Sequence, residues 1–218
     1  MKFGKLRLIE DVIPKVASEN MAIDEALFLT AETPVLRMYR WLSPSVSFGY
    51  FTPWDEVVRR FQGRDLVRRW TGGGIVEHGD DLTYSLACPS GLELPKTIQF
   101  YQLIHAAIAT VLRGAGYAVE LAESGDSTDS NACFEKAVRY DLRSGGAKIA
   151  GAAVRRNRKG LLLQGSIQRV QLPAGFADMF GRALCDRPES DPLSESVLDC
   201  AKRIASEKYG AAEWNRRR

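Results

Sequence analysis

Two residues able to carry covalent chemistry stand close in the sequence. Cys133 follows a Gly/Ser/Asp-rich loop running from Glu123 to Asn131, and Lys148 heads a strand-like run of small residues, Lys148-Ile-Ala-Gly151-Ala-Ala. A thiol drawn beside a lysine is a candidate covalent acyl carrier, because the ammonium stabilises the thiolate and can later deliver a proton. A free cysteine, with a pKa of ~8.5, is mostly protonated at pH 7, so such a neighbour would matter. The residues alone are equally compatible with an exposed loop thiol and a surface lysine.

A second candidate is Arg68-Arg69-Trp-Thr-Gly72-Gly73-Gly74-Ile75-Val76. Three glycines between two strand patterns let backbone approach a ligand closely, with N–H groups exposed to anionic oxygens, and the preceding arginines could grip a carboxylate or phosphate through forked bonds. A flexible hairpin loop with solvated arginines fits the same residues. The segment is neither a GxxxxGK[ST] phosphate loop nor a strand-GxGxxG-helix fingerprint. The third candidate is His78 with Asp80, Asp81 and Tyr84 around it, although a lone histidine at a strand end is commonly a structural hydrogen-bonder. His105, beside the apolar face of a long helical pattern, reads as structural. Cys88, Cys185 and Cys200 have apolar flanks and read as buried, inert thiols.

The elements that must position these groups come in mixed order. Strand patterns occupy Leu6–Ile9, Val35–Trp41, Val46–Tyr50, Asp65–Trp70, a start at Ile75, Leu82–Leu86, Arg139–Leu142, Ala147–Arg155 and Leu161–Val170. Helical patterns open near Ser18, which reads as an N-cap, after Pro53, after Pro95, and over Ala174–Leu184 and Ser194–Tyr209. Neighbouring hairpin-like strands rather than strict βαβ alternation predict an α+β fold, a central mainly antiparallel sheet flanked by helices.

The 218 residues suit one domain, and 45% hydrophobic with 26% charged residues is an ordinary globular balance. No run reaches the ~18 apolar residues of a membrane span, and no secretory signal is readable, so a cytoplasmic protein with reduced thiols is expected. Four dispersed cysteines without CxxC pairing and two histidines argue against a metal site. The net charge of +3 hides basic clusters at Arg59–Arg69, Arg155–Lys159 and Arg216–Arg218. Without aromatic interleaving or a nucleic-acid motif, they fit an acidic protein or anionic small molecule better than nucleic acid.

Three motifs in order, Asn20-Met-Ala-Ile-Asp-Glu-Ala26, Arg68-Arg69-Trp-Thr-Gly72-Gly73-Gly74-Ile-Val-Glu-His78 and Lys148-Ile-Ala-Gly151-Ala-Ala-Val-Arg155, resemble the biotin/lipoate A/B protein ligase superfamily, and the likeness covers nearly the whole chain. The resemblance implies an α+β catalytic domain over residues 1–218, without the C-terminal accessory domain of larger ligases. It implies Cys133 and Lys148 as catalytic residues, with Arg69, Gly72, Gly73, Gly74, Ile75, Val76, His78, Gly151 and Ala152 around the substrate. Two branches compete. Cysteine/lysine octanoyltransferases move an acyl group from acyl carrier protein, through a cysteine thioester, to a lysine of a lipoyl-domain protein and need no cofactor. Lipoate–protein ligases form an acyl-adenylate from octanoate or lipoate with ATP and Mg. Asp81-Leu-Thr-Tyr-Ser85 and Cys133-Phe-Glu135 resemble the transferases, which makes a Cys133 octanoyltransferase the preferred reading, whereas Gly74 resembles the ligases. Both branches commonly place His-Gly where this chain has Gln164-Gly165. A catalytically silent relative that binds lipoyl proteins stays open, and the Gly-Arg-Gly-Arg segment usual in biotin–protein ligases is not seen.

Overall fold

The computed structural model describes residues 2–125 and 137–217. In chain order the elements are β1 (Arg7–Lys15), α1 (Ala17–Thr30), β2 (Val35–Trp41), β3 (Ser45–Phe48), α2 (Trp54–Arg60), β4 (Asp65–Arg68), β5 (Ile75–His78), β6 (Leu82–Pro89), α3 (Thr97–Gly114), β7 (Glu120–Leu121), β8 (Leu142–Ser144), β9 (Ala147–Asn157), β10 (Gly160–Ile167), α4 (Phe176–Leu184), β11 (Glu189–Ser190), α5 (Glu195–Ile204), a π-helical turn (Ala205–Tyr209) and α6 (Ala212–Asn215). An eight-stranded sheet has the order β11-β1-β2-β6-β10-β9-β8-β7. β1 runs parallel to both its neighbours and every other pairing is antiparallel, so the α+β expectation holds.

Strict alternation sends the sheet's side chains into two cores. Leu36 and Met38 of β2, Tyr84 and Leu86 of β6, and Leu161 and Leu163 of β10 pack with α3 and α4. Val35 and Tyr39, Ala87 and Leu162 from the same strands pack with α1 and α5. Helix α1 is buried from Asn20 to Phe28, which is why it carries polar residues on several sides and still needs partners for all of them. Its start is not capped by Ser18 as the sequence suggests. Val16 is the N-cap residue, and the Ala17 N–H donates instead to the Asp65 carboxylate at 2.9 Å, a long-range substitute for a local cap.

A second sheet, β4-β3-β5, was not foreseen as a separate layer. Its outer face, Val46, Phe48 and Ile75, packs on Val57 and Phe61 in and beside α2. Its inner face carries Ser45 opposite His78 and Ser47 opposite Val76. That face covers the α1 side of the large sheet, and the site lies between them.

Candidate active site

The cavity between the two sheets contains about 450 Å³ of empty space, its open mouth included. Met21 from α1, Tyr39 and Trp41 from β2, and Val76 supply apolar wall, while Gly151, Ala152 and Ala153 leave room along β9. Lys148, Arg69, His78, Ser47, Gln164 and Ser166 bring polar groups to the same space. Among the described residues no group of three His, Cys, Asp or Glu side chains could hold a metal ion.

Lys148 is buried, and its ammonium pairs with the Asp141 carboxylate at 2.7 Å. Asp141 also accepts from the Val138 N–H at 2.6 Å and from the Tyr101 hydroxyl, which in turn accepts from the Ala152 N–H at 3.0 Å. Burial raises the Tyr101 phenol well above its ordinary pKa, reinforced by the Asp141 charge, so Tyr101 stays a neutral donor to the carboxylate. The strand geometry is adapted to the lysine. Leu142 lies opposite Ala150 but Arg143 lies opposite Lys148, a bulge that breaks the alternation of β9 and lets Lys148 fold over Gly151. A Cβ on Gly151 would stand 2.5 Å from Lys148 Cε and 2.6 Å from Nζ. Only glycine leaves that space.

Behind the sheet, His105 closes a second network. Its Nδ1 meets the Tyr140 carbonyl at 2.7 Å and its Nε2 the Tyr84 hydroxyl at 3.0 Å. A carbonyl can only accept, so Nδ1 carries the proton and Nε2 accepts from Tyr84. Burial drives the His105 pKa down to about 4, and the imidazole is neutral. The structural reading of His105 holds.

The paired arginines divide across the small sheet. Arg68 points to the outer side and is fully buried, donating to the carbonyls of Tyr50 at 3.0 Å, Thr52 at 2.7 Å and Asn215 at 2.9 Å. Arg69 points to the cavity side, but its guanidinium grips Ser47 Oγ at 2.8 Å, Gly72 O at 3.1 Å and Gly74 O at 2.8 Å. The glycine segment therefore turns carbonyls, not only N–H groups, toward the arginine expected to bind substrate. Gly49 makes room for it, since a Cβ there would lie 1.8 Å from Gly73 O.

Of the residues singled out in the sequence, Arg69, Val76, His78, Lys148, Gly151 and Ala152 line the cavity. Ile75 does not, because it faces the small core with Phe48. Gly72, Gly73 and Gly74 form the turn beside the cavity without lining it, and the Ala152 N–H is already engaged by Tyr101. His78 pairs with Asp81 rather than with Asp80 or Tyr84. The basic residues Arg158 and Lys159 sit at the β9–β10 turn, a strand length from Lys148. Cys133 lies outside the described residues. On either side of the undescribed residues 126–136 the described chain pairs with itself: the Ala122 N–H donates to Asp141 O at 2.8 Å and the Tyr140 N–H to Ala122 O at 2.8 Å.

Sequence reasoning missed Met21, Tyr39, Trp41 and Ser47 as lining residues and left Gln164 as a departure without a role. Gln164 is the bridge between motifs. Its amide donates to Asp24 at 2.8 Å and its carbonyl accepts from Thr71 at 2.8 Å. Asp24 accepts further bonds from Arg37, Tyr39 and Ser85, and Arg37 spends its remaining donors on Asp11 and Asn20. The Asn20–Ala26 motif is thus the polar floor under the cavity.

Residues 17–189 match the Lipoyl protein ligase A/B catalytic domain. The chain belongs to this family. An octanoyltransferase LipM from Oceanobacillus iheyensis is 39% identical over 166 residues, spanning 71% of this chain and 60% of that protein. Thus the chain matches only about three-fifths of that relative's length. Octanoyltransferase LipM of Symbiobacterium thermophilum is 31% identical over an alignment that covers 92% of this chain and 94% of its own. A T. acidophilum protein solved with bound lipoic acid shares the fold, with a TM-score of 0.79 at 23% identity over the whole of both chains. No helix among the described residues is long and apolar enough to cross a membrane.

Proposed function

We propose that the chain is an octanoyltransferase of protein lipoylation that works through an acyl-thioester on Cys133. The observation that carries the reading is a buried lysine at the wall of an apolar cavity in a lipoyl protein ligase A/B catalytic domain. The described chain on either side of residues 126–136 pairs with itself at Asp141, the partner of that lysine. Asp141 holds the ammonium at a fixed place, and Tyr101 and the Val138 N–H share the carboxylate's charge, so the pair keeps a cation available beside the cavity.

In this reading the Cys133 thiolate attacks the carbonyl of octanoyl-acyl carrier protein. The carrier's sulfur leaves and takes a proton, with Lys148 as the donor. The amine of a lipoyl-domain lysine then attacks the Cys133 thioester, the amide forms, the cysteine thiolate departs, and Lys148 recovers the proton the amine gives up. The octanoyl chain lies against Met21, Trp41, Val76 and Ala153. At ~0.8 kcal/mol per buried CH₂, six methylenes supply about 5 kcal/mol of that binding.

The test compares wild type with Cys133→Ala in transfer from octanoyl-acyl carrier protein to a lipoyl domain without ATP. Loss of transfer in the variant is expected, and undiminished transfer would sink the thioester mechanism. The competing ligase reading rests on Gly74 in the glycine triplet. It predicts lipoyl-adenylate formation from free lipoate, ATP and Mg, and transfer that survives Cys133→Ala.

A further inference from the structure

We infer that Asp81, His78 and Ser47 form a positioning relay that holds Arg69, and through it the Gly72–Gly74 segment, against the cavity. The chain of contacts is continuous. Asp81 Oδ2 meets His78 Nδ1 at 2.8 Å, His78 Nε2 meets Ser47 Oγ at 2.7 Å, and Arg69 donates to the same Oγ at 2.8 Å. The other terminal nitrogen of Arg69 donates to Gly72 O and Gly74 O. All four side chains are buried, and Ser47, Arg69 and His78 line the cavity.

The direction of each bond follows from Asp81. A carboxylate only accepts, so Nδ1 of His78 carries the proton and donates to it. In the neutral ring Nε2 is then bare and accepts from the Ser47 hydroxyl, whose lone pairs accept from Arg69. Burial, with Arg69 adding to it, outweighs Asp81 and lowers the His78 pKa, which agrees with a neutral ring. Asp81 is itself pinned by the hydroxyls of Thr83 at 2.9 Å and Ser166 at 2.6 Å and by the Gly79 N–H at 3.1 Å. Trp41 stacks on the imidazole at 3.9 Å between centroids and donates its own N–H to Thr83. The ring therefore has one orientation.

The order Ser–His–Asp is that of a nucleophilic triad. Here the hydroxyl lies inside β3 with a guanidinium on its oxygen, and the relay ends on backbone carbonyls rather than on a reacting atom. Its output is the placement of the glycine segment. That placement can be read from two amides outside the relay, because the Gly49 N–H donates to Gly74 O at 3.2 Å and the Tyr50 N–H to Thr71 O at 2.9 Å.

The experiment measures amide hydrogen exchange at Gly49 and Tyr50 in wild type, Ser47→Ala, His78→Asn and His78→Gln, alongside KM and kcat for octanoyl transfer. Gln places its amide where Nε2 stands and keeps an acceptor for Ser47, whereas Asn replaces only the bond to Asp81. Exchange about tenfold faster is expected in Ser47→Ala and His78→Asn, the factor for one lost charge-assisted bond, with His78→Gln close to wild type. KM should rise in the same order with kcat less affected. Equal acceleration in the Asn and Gln variants would mean that the ring only fills space, and wild-type exchange in Ser47→Ala would end the proposal. Covalent labelling of Ser47 by a fluorophosphonate would also overturn it, in favour of a nucleophilic serine. The kinetic arm rests on the octanoyltransferase reading. The exchange arm does not, so an inactive protein with the predicted exchange pattern would refute the function and leave the relay standing.

Discussion

Gly151→Ala isolates the lysine without touching it. The glycine has ordinary strand geometry, so alanine is tolerated by the backbone. The added methyl carbon would fall 2.5 Å from Lys148 Cε and 2.6 Å from Nζ, against a comfortable carbon–carbon separation of ~3.5–4.0 Å. The flexible four-carbon stem yields first, moving the ammonium by about 1 Å or more and opening its 2.7 Å contact with Asp141. A charge-assisted hydrogen bond is worth about 1.5–3 kcal/mol, and displacing a catalytic group by ~1 Å can cost a hundredfold. The expected result is a 10- to 100-fold fall, roughly, in kcat/KM for ATP-free octanoyl transfer, with the thermal melt lowered by only a few degrees. The same change on a Lys148→Ala background should add almost nothing, because the methyl then has no ammonium to displace. If the two effects simply add, or if Gly151→Ala retains full kcat/KM, the reasoning that ties this glycine to the lysine is wrong.

Other outcomes follow from the buried groups. Arg68→Met should destabilise the fold by about 3–5 kcal/mol in urea titration, since it strands the carbonyls of Tyr50, Thr52 and Asn215, while wild-type stability would show that water or backbone shifts replace the guanidinium. His105 is neutral in the fold, with its pKa down from 6.5 to about 4, so the unfolded chain binds the extra proton between those values. Its contribution is fully present above pH 6.5 and declines as pH falls toward 4, by roughly 3 kcal/mol in all; the slope of stability against pH in that window should flatten in His105→Asn. Cys88, buried and with its pKa pushed up to about 12, should resist iodoacetamide at pH 8 in the native protein and react only on unfolding.

Lys148, Gly151 and the cavity strand were legible because their signals are local: a charge ahead of a run of small residues. Arg68 and Arg69 were legible as important and not as different. Adjacent strand residues face opposite sides, so one guanidinium binds backbone outside the cavity and the other binds it inside, and no composition or spacing separates those jobs. Ile75 and Val76 divide by the same rule. Met21, Tyr39 and Trp41 escaped because their role depends on which strand lies beside which: β2 is paired with β6 and β1 in space, a pairing that turns no local pattern into a signal. Ser18 looked like a cap and Asp65 supplied one from far along the chain.

Gln164 shows why a motif's chemistry can outlast the residue expected to perform it. The position must join Asp24, on the floor of the cavity, to Thr71, at the entrance of the glycine segment, and both partners impose a polarity: a carboxylate needs a donor and the hydroxyl needs an acceptor. A glutamine amide offers both at once and carries no charge at any pH. A histidine could satisfy the same two partners only as the neutral ring, since protonation would replace the acceptor for Thr71 with a second donor. In this chain the link between the first and second motifs is thereby independent of protonation. The one imidazole left at the cavity, His78, has its donor and acceptor roles fixed by Asp81, which takes the Nδ1 proton and leaves Nε2 to accept from Ser47. In the proposed octanoyl transfer the proton-exchanging role then falls to Lys148, which lines the same cavity.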